Sequence, residues 1–147
     1  MMSEKVEILL VEDNAADLEL ALHALRKNKV ANTIHIARDG EEALQFLFRQ
    51  GPYSGRDATL PKVMLLDLKL PKVDGLEVLK AIRGDERTKL IPVVALTSSK
   101  EQKDILTSYK LGVNSYIQKP VDFEQFQQAV QHLGLYWMVV NHVPFAG

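Results

Sequence analysis

The sequence predicts a three-layer α/β domain, a parallel sheet with helices packed on both faces. Two observations predict it. Strand-like runs and helical stripes alternate five times along the 147 residues, and short strands that alternate with helices pair in parallel through right-handed crossovers. Several of the strand-like runs are almost wholly apolar, as strands covered on both faces must be.

Residues 6–11 (VEILLV) form the first such run. A helix is expected from about residue 15 to 27, with Ala15, Leu18, Leu22 and Leu25 on one stripe and Asn14 as its N-cap. Residues 33–37 give the second strand. Residues 41–49 give the second helix, stopped by Gly51 and Pro52. Residues 51–61 (GPYSGRDATLP) read as a loop. The third strand, residues 63–66 (VMLL), is the most apolar and therefore central. Leu76, Leu79 and Ile82 mark a third helix that ends near Gly84. The fourth strand is residues 92–96, where a leading proline is tolerated. Residues 101–111 form the fourth helix, closed by Gly112, and residues 115–117 lie in the fifth strand. A last helix starts near Phe123 and keeps Phe126, Val130, Leu133 and Trp137 on one stripe.

Composition bounds the function. With 46% apolar residues, 25% charged residues and a net charge of −1, the chain is of ordinary globular type and long enough to bury a core in one domain. The balanced charge argues against nucleic acid as the main partner. The absence of cysteine excludes disulfides, thiolate zinc sites and thiol catalysis, and fits a cytoplasmic setting. No apolar run approaches the length of a membrane span, and the start MMSEKVEILLVED does not read as a signal peptide.

Parallel sheets of this kind place functional groups at the carboxyl ends of their strands. Glu12 and Asp13 follow strand one, Asp67 follows strand three, Thr97 follows strand four, and Lys119 follows strand five. Each has a bland explanation: an acid before a helix suits its dipole, Thr97 could cap the fourth helix, and Lys119 alone reads as a surface charge. Their convergence on one crevice favours a site. Clustered carboxylates repel one another, and a divalent cation relieves the repulsion. Oxygen-only ligands point to Mg²⁺ or Mn²⁺ rather than zinc. Asp13 and Asp67 would supply carboxylate oxygens, and attack of Asp67 on phosphorus would give an acyl phosphate. Lys119 and the Thr97 hydroxyl would hold the phosphoryl oxygens.

The motifs LLVEDN (9–14), LLDLKLPKVDG (65–75), VVALTSS (93–99) and YIQKP (116–120), in this order and spacing, resemble the response-regulator receiver domains of two-component signalling. The resemblance covers about residues 5–134. It implies a flavodoxin-like, doubly wound five-stranded sheet of order 2-1-3-4-5. It implies that Asp67 is the phosphoacceptor and that Glu12, Asp13, Asp67 and the backbone carbonyl of Lys69 hold the metal. Thr97 would be the switch hydroxyl, Tyr116 the switch aromatic and Lys119 the phosphate-binding lysine, with a cis peptide bond before Pro120. Tyr116 also has a bland reading as a strand aromatic with its hydroxyl in water. Lys69 and Ser99 occupy positions that tune phosphoryl lifetime in the family, and a long cationic side chain at 69 would hinder the attacking water.

The resemblance further implies a switch that catalyses only its own phosphorylation and dephosphorylation, with a sensor histidine kinase as donor. The chain is read as a single domain, 1–147, leaving no room for a DNA-binding output domain, so output would run through protein contacts. The apolar tail, residues 135–147, either folds back on the domain or supports a homodimer through helix four, strand five and helix five. The loop before strand three and this tail resemble stand-alone receivers paired with phytochrome-type histidine kinases. A phosphohydrolase with an aspartyl nucleophile is the competing enzyme class, but such enzymes usually carry a second acid where this chain has Lys69. A nucleotide- or flavin-binding module lacks its glycine-rich loop here. His23, His35, His132 and His142 show no metal-ligand spacing and read as surface or packing residues.

Overall fold

The computed structural model describes residues 6–27, 33–97 and 102–132, with side chains in the last span described from residue 105. Five strands, β1 (Ile8–Val11), β2 (Ile34–Ala37), β3 (Val63–Asp67), β4 (Val93–Thr97) and β5 (Ser115–Gln118), alternate with five helices. The helices are α1 (Ala15–Lys27), α2 (Gly40–Phe48), α3 (Gly75–Arg83), α4 (Gln102–Lys110) and α5 (Phe123–His132). The sheet is parallel throughout, in the order β2-β1-β3-β4-β5.

Alternation along each strand divides the core in two. Ile8, Leu10, Val63, Leu65, Val94, Leu96 and Ile117 face α1 and α5, where Leu18, Leu25, Phe126 and Val130 close the layer. Leu9, Val11, Met64, Leu66, Val93 and Ala95 face the opposite way, onto Phe46 and Leu47 of α2 and Val78, Leu79 and Ile82 of α3. β3 is buried along its whole length, as its composition requires of the central strand.

Three local expectations change. The stripe of α1 runs through buried Leu18, Ala21 and Leu25, whereas Ala15 is exposed because the first turn lies beyond the strand ends. α2 stops before Gly51-Pro52: Arg49 adopts a left-handed conformation (φ 54°) and its N–H closes the helix on carbonyls of the last turn. Residues Gly51–Tyr53 of the following loop form a short 3₁₀ turn. The continuation of the α5 stripe to Leu133 and Trp137, together with Ser99, His142 and the tail 135–147, lies outside the described residues.

Two glycines hold the loop after β3 in place. A Cβ at Gly75 would collide with the Asp67 carbonyl oxygen, and one at Gly40 would collide with the Val73 carbonyl oxygen. α3 and the start of α2 can therefore approach this loop only without side chains at these positions.

Candidate functional site

The sheet brings Glu12, Asp13, Asp67, Thr97 and Lys119 to its carboxyl edge. β1, β3 and β4 run side by side, and Asp67 and Thr97 are the last residues of their strands. Lys119 follows β5, anchored where its N–H donates to the Thr97 carbonyl at 2.8 Å. The bond between Lys119 and Pro120 is cis.

Glu12 is buried, with 1% of its surface exposed, whereas Asp13 faces solvent. The Glu12 Oε2 accepts a hydrogen bond from the Asn14 N–H at 3.1 Å. The next helix starts at once, capped by Asn14, whose Oδ1 accepts from the Asp17 N–H at 2.9 Å. Asp67 Oδ1 accepts from the Lys69 N–H at 3.0 Å. That contact folds the chain tightly after β3, while the Lys69 side chain stays exposed.

The Lys119 ammonium is the hub. It lies 2.7 Å from Glu12, 2.9 Å from Asp67 and 3.2 Å from Asp17, with only 8% of its side chain exposed. The reading of Lys119 as a surface charge is therefore wrong: its head meets the buried acids Glu12 and Asp67. Burial alone would lower its pKa. Hydrogen bonds and charge from Glu12 and Asp67 outweigh burial and hold it above the ordinary lysine value. The Glu12 carboxyl is pushed up to about 7, first by burial and then by the neighbouring Asp67 carboxylate, against the opposing pull of Lys119.

Glu12, Asp13 and Asp67 each offer a carboxylate oxygen within 4.8 Å of the others'. Three hard oxygen donors this close, if all ionised, carry more negative charge than one ammonium balances. Such a donor set fits Mg²⁺ or Mn²⁺.

Asp17 is a site residue that sequence reasoning missed. Its position in the first turn of α1 has a sufficient local explanation in the helix dipole, and its partner Lys119 is remote in sequence. Tyr116 is 43% exposed and sets its ring edge-on to Tyr109, with centroids 6.3 Å apart. This outward placement follows from its neighbour Ile117, which points into the core. His35 is a packing residue: it stacks on Phe46 at 4.2 Å, and its Nε2 lies 3.0 Å from the Tyr53 hydroxyl. That hydroxyl donates in turn to Glu42 at 2.6 Å.

Comparison with known proteins places these features in a family. The model of the response regulator receiver domain matches residues 8–131. The chain is 42% identical over 137 residues to a probable methanogenesis regulatory protein, FilR2, of Methanothrix harundinacea, covering 93% of this chain and 86% of that one. It is 40% identical over 139 residues to the response regulator Rcp1 of Synechocystis, covering 95% and 93%. Among solved structures, the bacteriophytochrome response regulator AtBRR is 54% identical with a TM-score of 0.85, covering 95% of this chain and all of that one.

Proposed function

The chain belongs to the response-regulator receiver family, and on that premise we propose that it is a phosphorylation switch whose acceptor is Asp67. One observation carries the reading: a buried carboxylate at the end of the central strand shares one ammonium with Glu12 and stands within a cluster of oxygen donors. Glu12, Asp13 and Asp67, with the carbonyl of Lys69, would hold Mg²⁺. Support comes from this donor set and from Rcp1, whose Mn²⁺-bound structure is 40% identical to this chain with a TM-score of 0.74. A bound divalent cation would supply the positive charge that lets an anionic donor approach an acidic pocket.

An Asp67 carboxylate oxygen attacks phosphorus. The new O–P bond forms as the bond to the donor breaks, and the leaving group keeps the electron pair. From a kinase phosphohistidine the broken bond is P–N; from acetyl phosphate it is P–O. Lys119 holds the phosphoryl oxygens by charge-assisted hydrogen bonds, and the Thr97 hydroxyl closes on them from the neighbouring strand. Phosphorylation adds about −1.5 to −2 charge at one point. The population then shifts toward a state in which Tyr116 leaves its exposed position and follows Thr97, altering the α4–β5–α5 face. The donor is a sensor histidine kinase of phytochrome type, a reading supported by the bacteriophytochrome response regulators among the similar structures. The chain acts on no substrate but itself, works in the cytoplasm, and signals through protein contacts that include a homodimer on the α4–β5–α5 face. No described helix is long and apolar enough to cross a membrane.

Intact-mass analysis with acetyl phosphate and Mg²⁺ tests the reading. The wild type gains one phosphoryl group and Asp67→Asn gains none. Equal labelling of both proteins would overturn the assignment.

A further inference from the structure

We infer that Asp17 is a positioning residue for Lys119, occupying in the resting site the hydrogen-bond position that an incoming phosphoryl oxygen takes over; the inference rests on the proposed phosphoryl transfer. An ammonium has three N–H donors. Here three carboxylates meet them, those of Glu12, Asp67 and Asp17. A phosphoryl oxygen can reach Lys119 only by displacing one of them.

The geometry decides which. Glu12 and Asp67 hold the shorter contacts, at 2.7 and 2.9 Å, and their side chains are only 1% and 5% exposed. While the donor binds, before the O–P bond forms, both are still carboxylates enclosed away from water, and pulling the ammonium off either is the costly way to break an ion pair. Asp17 holds the longest contact, 3.2 Å, and its side chain is 31% exposed at the rim. Released, it returns to water at little cost. It also stands outside the group of carboxylates whose oxygens could share a cation. It is thus free to exchange in a way that Glu12 and Asp67 are not. In the resting site Asp17 draws the ammonium toward α1. During transfer it gives up that hydrogen to the phosphoryl group. The consequence is competition: the carboxylate of Asp17 and the donor's phosphoryl oxygens contend for one N–H of Lys119.

Initial rates of phosphorylation by acetyl phosphate at saturating Mg²⁺ separate half-saturation from maximal rate. Asp17→Asn lowers the half-saturating acetyl phosphate concentration roughly two- to five-fold, the span a partly exposed ion pair carries, and leaves the maximal rate within about two-fold. Asp17→Glu keeps a competing carboxylate and behaves as the wild type. Glu19→Gln removes the same charge from an exposed position on the same helix and leaves half-saturation unchanged. An unaltered half-saturation in Asp17→Asn, or an equal shift in Glu19→Gln, overturns the role of Asp17. A wild type that takes up no phosphoryl group instead overturns the underlying transfer reaction, so the two failures are told apart in one experiment.

Discussion

Replacing Lys119 with methionine removes the one cation that the described structure sets between Glu12 and Asp67 while keeping an unbranched apolar stem of the length of the lysine's carbon chain. The ammonium lies 2.7 and 2.9 Å from the two carboxylates, and all three side chains are nearly inaccessible. At an effective dielectric of about 20 each contact carries roughly 6 kcal/mol of gross attraction, much of it offset by the cost of desolvating the charges. Removing one partner of such a buried arrangement costs about 3–5 kcal/mol, because the other charges remain. The loss depends on pH. The Glu12 pKa of about 7 already includes the lowering pull of Lys119; without the ammonium it rises further, so the variant goes on losing stability above pH 7, where Glu12 of the wild type has already ionised. Urea denaturation followed by circular dichroism, in the presence of EDTA, should show the full loss near pH 8 and a smaller one near pH 6. Mg²⁺ should recover part of it by replacing the missing charge. A loss below about 1 kcal/mol near pH 8, typical of an exposed pair, would refute the reasoning, and so would an equal loss at both pH values.

The remaining predictions concern the same pocket and its supports. The Glu12 carboxyl is raised from 4.5 to about 7, so its contribution to stability is complete below about pH 4.5 and is lost as pH rises through about 7. Metal-free wild type should therefore lose up to about 3 kcal/mol across that window, and Glu12→Gln should lose less; equal slopes in urea titrations would contradict the assignment. Gly75→Ala forces a methyl group against the Asp67 and Leu68 backbone and should destabilise by about 1–3 kcal/mol, read from the urea midpoint. A change within about 0.5 kcal/mol would show that the loop gives way freely. If the exposed Lys69 side chain shields the phosphoryl group from water, Lys69→Ala should speed loss of the label in a phosphate-release assay, and an unchanged decay rate would remove that role.

Much of this site was legible in the sequence because strand ends are. Short apolar runs fix where β1, β3 and β4 stop, and in a parallel sheet the residues just past those stops share one edge. Glu12, Asp67, Thr97 and Lys119 could therefore be grouped before any coordinates, and the described structure gathers Glu12, Asp13, Asp67 and Lys119 by direct distance. What stayed hidden has a sufficient local explanation in the chain around it. Asp17 suits a helix start, so nothing pointed from it to a lysine elsewhere in the chain. Arg49 in a left-handed conformation has no sequence mark, since that position ordinarily signals itself by glycine. The cluster of His35, Tyr53 and Glu42 joins β2, the 3₁₀ turn and α2, and only folding makes those three residues neighbours. Taken alone, Lys119 reads as a surface charge in a loop beside a proline; only its position just past β5 and the YIQKP motif put it in the crevice.

The central claim is that the Asp67 carboxylate itself becomes phosphorylated, with a divalent cation in the pocket beside it. Borohydride reduction of the acetyl-phosphate-treated protein, followed by peptide mass mapping, tests this most directly, because an aspartyl phosphate is reduced to homoserine. Homoserine at position 67 in the presence of Mg²⁺, and its absence in EDTA, is the expected result. Homoserine at another aspartate, or at position 67 in equal yield without the cation, would contradict it.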